Sequence, residues 1–174
     1  MEIQQLLKIL ASLGSGVAMI TDMRTGMIYN WLTFPMMFLG WIINFSFWGL
    51  EGFLYSFGAT MVGIVIYLPF ARLGAIGMGD VKLLGGIGSL LGTRMVISVF
   101  LFTSLIGIIH AVIIQYMNYG RNWWGMLLTS YITGAFKNKT IHDDSENVRF
   151  KFYLGIDIFF GTLAAVFFEI PIRL

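Results

Sequence analysis

Long apolar runs, separated by short polar junctions, dominate the pattern of this chain. A helix needs about 20 apolar residues to cross the hydrocarbon core of a bilayer, and the stretches at 3–20, 31–50 and 53–70 meet that need. The stretch 81–117 is too long for one crossing. It divides at Gly92-Thr93-Arg94, where helix-breaking residues stand beside a charge, leaving a short Gly-rich helix at 81–91 and a long one at 95–117. The last run is 154–172. The expected fold is all-α: a polytopic integral membrane protein with about six transmembrane helices. The whole chain, 1–174, reads as a single membrane domain with one sizeable polar loop at about 118–152.

Composition agrees with the pattern. Hydrophobic residues make up 57% of the chain and charged residues only 11%, against roughly 25% in an ordinary soluble domain. The mean hydropathy is +0.81. Too little polar surface is available to coat a soluble globule, so the lipid bilayer is the expected surrounding. The absence of cysteine excludes disulfides, thiolate zinc sites and cysteine nucleophiles. The net charge of +2 is spread along the chain, which leaves no basic stripe for nucleic acid. Residues 1–20 carry a weak n-region, Lys8 preceded by Glu2, so a retained first span is expected rather than a cleaved signal peptide.

Basic residues set the expected orientation. With six spans, the loops at 21–30, 71–80 and 118–152 share one side, which holds Arg24, Arg72, Arg121, Lys137, Lys139, Arg149 and Lys151, with Lys82 at its border. The other side holds Arg94 and Arg173, and Lys8 if it snorkels outward. The positive-inside rule assigns the first group to the cytoplasm. Asp22 closes the first span and Asp80 opens the fourth. Two crossings separate them and return the chain to the face it left, so both carboxylates are expected at one depth on the cytoplasmic side. Two acids brought together near hydrocarbon tend to share one proton. One can then deprotonate a water while the other protonates a scissile carbonyl oxygen, with no metal, cofactor or covalent intermediate.

Asp80 lies in Gly77-Met78-Gly79-Asp80-Val81-Lys82-Leu83, where Gly77 and Gly79 allow unusual backbone angles and close approach. This run resembles the G-x-G-D-x-K-L signature of the prepilin peptidases. Asp22-Met23-Arg24-Thr25-Gly26-Met27-Ile28-Tyr29-Asn30 is similar to their first-aspartate motif, D-x-[RK]-x-x-x-I-P-N. Tyr29 replaces the usual proline, a departure that loosens the turn without touching the acid. The resemblance covers roughly the first 92 residues and fades in the C-terminal region. It implies an aspartic endopeptidase of the bacterial inner membrane that cuts the basic leader from prepilins or pseudopilins on the cytoplasmic face, with Asp22 and Asp80 catalytic. Many such enzymes also methylate the new N-terminus through a cysteine-bearing domain. Without cysteine, this chain looks like the short, peptidase-only branch that accompanies Tad-type Flp pili.

Plainer roles exist for the same residues. Asp22 could pair with Arg24, although an acid at a helix C-terminus opposes the dipole, and Asp80 could cap the fourth helix. Lys82 and Arg24 read first as interfacial positive-inside residues, and Lys82 could also help place substrate. Asn30 is expected to fix the turn after Asp22 through its side chain. Asp157, an acid early in the last span, is a functional candidate by location, although Arg149 or Lys151 could satisfy it. The acidic run Asp143-Asp144-Ser145-Glu146 reads as solvated loop, or as an attractor for a basic leader. Two other functions fit the pattern less well. A presenilin-like protease would add a Pro-Ala-Leu motif that is missing here, and an ion-coupled transporter subunit would use the acids to bind ions.

Overall fold

The computed structural model describes residues 3–74, 76–119 and 153–168. All five elements formed by these residues are helices: α1 (Ile3–Thr25), α2 (Asn30–Arg72), α3 (Met78–Leu91), α4 (Thr93–Tyr119) and α5 (Leu154–Phe168). The chain divides into two compact units, Met1–Ile106 with Tyr153–Leu174, and Gly107–Phe152. Of the second, the described part is the continuation of α4 to Tyr119. The expected interfacial segment at 123–136, the acidic run and the bases Arg149 and Lys151 lie outside the described residues.

The 43-residue α2 is two helical limbs joined at Gly49, whose φ of 61° and ψ of −146° interrupt the helix. Contacts across it show that the chain reverses there. The Trp41 indole N–H donates to the Thr60 hydroxyl at 3.0 Å, and the Trp41 ring lies 5.4 Å from that of Phe57. Asn44 and Ser56, one on each limb, both donate to the carbonyl of Ser89, at 3.3 and 2.6 Å. The reversal was expected at 51–52, and the structure places it slightly earlier, at the one residue here that reaches left-handed φ without strain. Nothing lies within 4 Å of a Cβ built at Gly49, so its only constraint is the backbone. Gly49→Ala is therefore expected to cost about 1–3 kcal/mol, seen as a drop of a few degrees in melting temperature. An unchanged melting temperature would mean that the reversal tolerates another geometry.

Helix α3 is the centre of the first unit. Val81, Leu83, Leu84, Ile87 and Leu90 are all buried, and a helix that is apolar all round belongs in an interior. It lies against both limbs of α2: Gly85 meets Met37 of the first limb and Ile64 of the second, and Gly88 meets Ala59. The order of these contacts makes α3 parallel to the first limb and antiparallel to the second. Gly92, at φ 84°, ends α3, and α4 starts at the next residue, as the Gly92-Thr93-Arg94 break predicted. Helix α5 runs antiparallel to α1, with Gly16 facing Phe159 and Asp22 facing Gly155.

The outer faces are apolar. Leu13, Phe38, Ile42, Leu54, Val65 and Leu101 are all more than half exposed or close to it, a pattern suited to a lipid solvent. Three described helices are long and apolar enough to cross a membrane: Ile3–Thr25, Asn30–Arg72, and α4 over Thr93–Ile114. The sequence led us to expect about six. The difference has three sources. Asn30–Arg72 counts once although its two limbs reverse at Gly49. Helix α3 has 14 residues, about 21 Å at 1.5 Å per residue, short of a roughly 30 Å hydrocarbon core. Helix α5 is described only as far as Phe168.

Candidate active site at one end of the first unit

Asp22 and Asp80 come from opposite ends of their helices and arrive at the same end of the unit. Asp22 lies in the last turn of α1 and Asp80 in the first turn of α3. Each is only 8% exposed, and the Asp22 carboxylate is close enough to act on Asp80 through space. The two acids that were expected to share an end of the bundle are therefore both found at that end.

Each carboxylate is held through its Oδ2. That of Asp80 accepts the Gly77 N–H at 3.0 Å, one half of a capping arrangement at the start of α3. Capping and a chemical role are compatible here, because a cap engages one oxygen. That of Asp22 accepts the N–H of Gly155 at 2.9 Å, across 133 positions of sequence. The Asp22–Arg24 pair is not formed. Arg24 is exposed and Asp22 buried, as expected for residues two apart on a helix, which do not face each other.

The glycines act through space rather than through backbone angle. Gly77 has φ −78° and ψ 151°, ordinary extended backbone, and neither Gly77 nor Gly79 is among the positive-φ residues. This corrects the expectation of unusual angles. The expectation of close approach holds at Gly79: a Cβ there would fall 2.8 Å from the Ile28 carbonyl oxygen, so the chain leaving α1 rests directly on the start of α3. At the join between α1 and α2, Tyr29 takes φ −83° and ψ 144°, a conformation close to the one proline enforces. The tyrosine thus keeps the geometry its position calls for.

Asn30 and Lys82 meet, with the lysine Nζ donating to the asparagine Oδ1 at 2.8 Å. The carboxamide oxygen of Asn30 therefore ties α2 to α3 instead of fixing the turn after Asp22. The Lys82 ammonium also lies 5.4 Å from the centre of the Phe34 ring, a favourable cation–π distance. These contacts hold the lysine against the start of α2; it stands two residues from Asp80 and so on a different side of α3.

Two residues join the site that sequence reasoning did not assign to it, Gly155 and Tyr67, beside Asp157, which was already a candidate by its place in the last span. Gly155 supplies the N–H to Asp22 and has no Cβ, because one would meet the Asp22 side chain at 2.8–2.9 Å. Tyr67, on the second limb of α2, is buried within electrostatic reach of both Asp80 and Asp157. Asp157 itself is completely buried and sits half a turn beyond Gly155 on α5. A lone glycine in an apolar run and a tyrosine in a hydrophobic helix carry no periodic signature, so only the fold reveals them.

Residues 9–112 match the type IV leader peptidase family. The chain is also similar to a prepilin leader peptidase/N-methyltransferase of Vibrio cholerae serotype O1, with 31% identity over 97 residues. That match covers 52% of this chain and 38% of the relative, so it spans well under half of the relative's length. No solved structure matches the chain at a significant level.

Proposed function

This chain belongs to the type IV leader peptidase family, and from that membership we propose that it is an aspartic endopeptidase cleaving the leader peptides of prepilins or prepilin-like proteins. The observation that carries the reading is the convergence of two buried carboxylates, Asp22 and Asp80, at one end of the helical unit. Both acids stand in motifs similar to those of the family. In this reading they share one proton across the pair. The ionised partner takes a proton from a water as it attacks the scissile carbonyl carbon, and the protonated partner donates to the carbonyl oxygen. Collapse of the tetrahedral species expels the new amine, and the acids return to their starting state.

In this reading that end of the unit faces the cytoplasm, which the bias of basic residues along the sequence supports through the positive-inside rule, and the chain crosses a bacterial inner membrane about six times. The apolar outer faces would hold the hydrophobic helix of a prepilin in the bilayer while its leader, on the cytoplasmic side, reaches the acids. Lys82, held by Asn30 near the start of α3, serves to place the leader in this reading.

The Gly155–Asp22 contact offers a test independent of the acids' own chemistry. Gly155→Ala forces the Asp22 carboxylate away from its hydrogen-bond donor. Misplacement of about 1 Å costs on the order of 100-fold in rate, so the kcat for prepilin cleavage is expected to fall about 10- to 100-fold while the protein stays folded. An unchanged kcat in a folded variant would show that the position of Asp22 is irrelevant to turnover.

A further inference from the structure

At the end of the first unit opposite the two acids lies a cavity of about 930 Å³. Its wall is built from the start of α1, the reversal of α2 and the junction of α3 with α4. We propose that this cavity is a binding site for the headgroup of an ethanolamine phospholipid, a role separate from peptide cleavage.

The lining divides by charge. Lys8 and Arg94 supply two cations, and ammonium and guanidinium groups are the usual protein partners of a phosphate diester. Glu51 supplies a carboxylate in the same wall. The floor carries Asn44, which is 8% exposed. Its amide nitrogen is committed to the carbonyls of Gly40 and Ser89, at 2.8 and 3.3 Å, so the carboxamide oxygen is the part of the side chain left to accept from a ligand. Leu90, Leu91 and Gly92, the C-terminal end of α3, close the cavity, and a helix C-terminus carries partial negative charge. The lining therefore holds partners both for a phosphate and for a cation that can donate hydrogen bonds.

A phosphoethanolamine group presents those two charges on one short chain. Phosphoglycerol has no cation for Glu51, and a choline nitrogen has no N–H for the Asn44 oxygen. Trp48 and Tyr55 complete the lining. Aromatic side chains of this kind concentrate at the membrane–water boundary, and their ring faces attract an ammonium. Leu7 and Met95 offer apolar contact for the glycerol and the first acyl carbons. The location fits a lipid as well, since the cavity opens where helices of membrane-crossing length end.

The test uses the purified full chain in nanodiscs of phosphatidylcholine alone, or with added phosphatidylethanolamine or phosphatidylglycerol. Phosphatidylethanolamine is expected to raise the melting temperature by at least about 3 °C, and phosphatidylglycerol by less than a third of that. Native mass spectrometry of protein released from the ethanolamine-containing discs is expected to show one retained ethanolamine lipid. Glu51→Gln should abolish both effects while leaving the melting temperature in phosphatidylcholine within about 1 °C of wild type, and Lys8→Ala with Arg94→Ala should abolish the difference between the ethanolamine-containing and phosphatidylcholine discs. Glu51 is exposed, so its isosteric change leaves the fold intact and serves as the decisive variant if the double change does not fold. Equal shifts with phosphatidylglycerol, or full shifts in Glu51→Gln, would overturn the proposal. So would an equal shift with soluble phosphoethanolamine, which would make the occupant a free zwitterion. Because the readout is thermal stability, it stands or falls apart from the peptidase reading.

Discussion

Asp80→Asn is expected to lower prepilin cleavage by on the order of 1,000-fold or more, and Asp22→Asn by a similar factor. An amide cannot take a proton from water at neutral pH, nor protonate a carbonyl oxygen as an acid does. Loss of positioned general acid–base catalysis costs about 100- to 10,000-fold. The pair works as a unit, so the double variant should be little worse than either single one. Asparagine keeps the size of the side chain and an oxygen that can accept from Gly77 or Gly155. The variants should therefore melt near the wild-type temperature, which separates lost chemistry from lost fold. Cleavage within about tenfold of wild type in either single variant would remove that acid from the mechanism.

Gly88→Ala is expected to have a large effect on stability. A Cβ at this position would lie 2.5 Å from the Ala59 carbonyl oxygen and 3.0 Å from its carbon. Both obstacles are backbone, so they cannot swing aside and the helices must separate. Gly63→Ala meets the Leu84 carbonyl oxygen at 2.6 Å and should behave alike. Overpacking of this kind costs about 1–3 kcal/mol. The cost matters more in a bilayer, where helices associate through close packing rather than through release from water. Gly58, on the same limb, has nothing within 4 Å of a built Cβ, so Gly58→Ala should be neutral or slightly stabilising. Melting curves of the three variants check the contrast. Equal melting temperatures for Gly88→Ala and Gly58→Ala would mean that α3 does not pack on α2 at the described separation.

These two predictions rest on different kinds of information. The placement of Asp22 and Asp80 at one end of the bundle was legible in the sequence, because counting apolar runs fixes which junctions share an end. The break at Gly92 and a reversal near residue 50 were legible for the same reason, since glycine between apolar runs interrupts a helix. The crossing count was less so. The short helix at 81–91 was read from the sequence, but hydropathy does not record that α3 lies at the centre of the unit, where a short helix can be buried by its neighbours. Pairings across long separations were not legible at all. The Gly155 N–H reaches Asp22 across 133 positions, and Lys82 reaches Asn30 across 52. No local pattern encodes such partners, because each is chosen by how helices pack. The small residues on α3 were read as permitting close contact, and the structure adds which backbone atom each of them meets.

The central claim is that this chain itself hydrolyses a leader peptide using the acids gathered at one end of its helices. The most direct measurement incubates purified protein with a purified prepilin in detergent or nanodiscs and determines the N-terminus of the product. The account predicts one cut, immediately before the hydrophobic helix of the substrate, made by the wild type and not by Asp22→Asn or Asp80→Asn. A substrate left intact by folded wild-type protein, or the same cut made at the same rate by both variants, would contradict it.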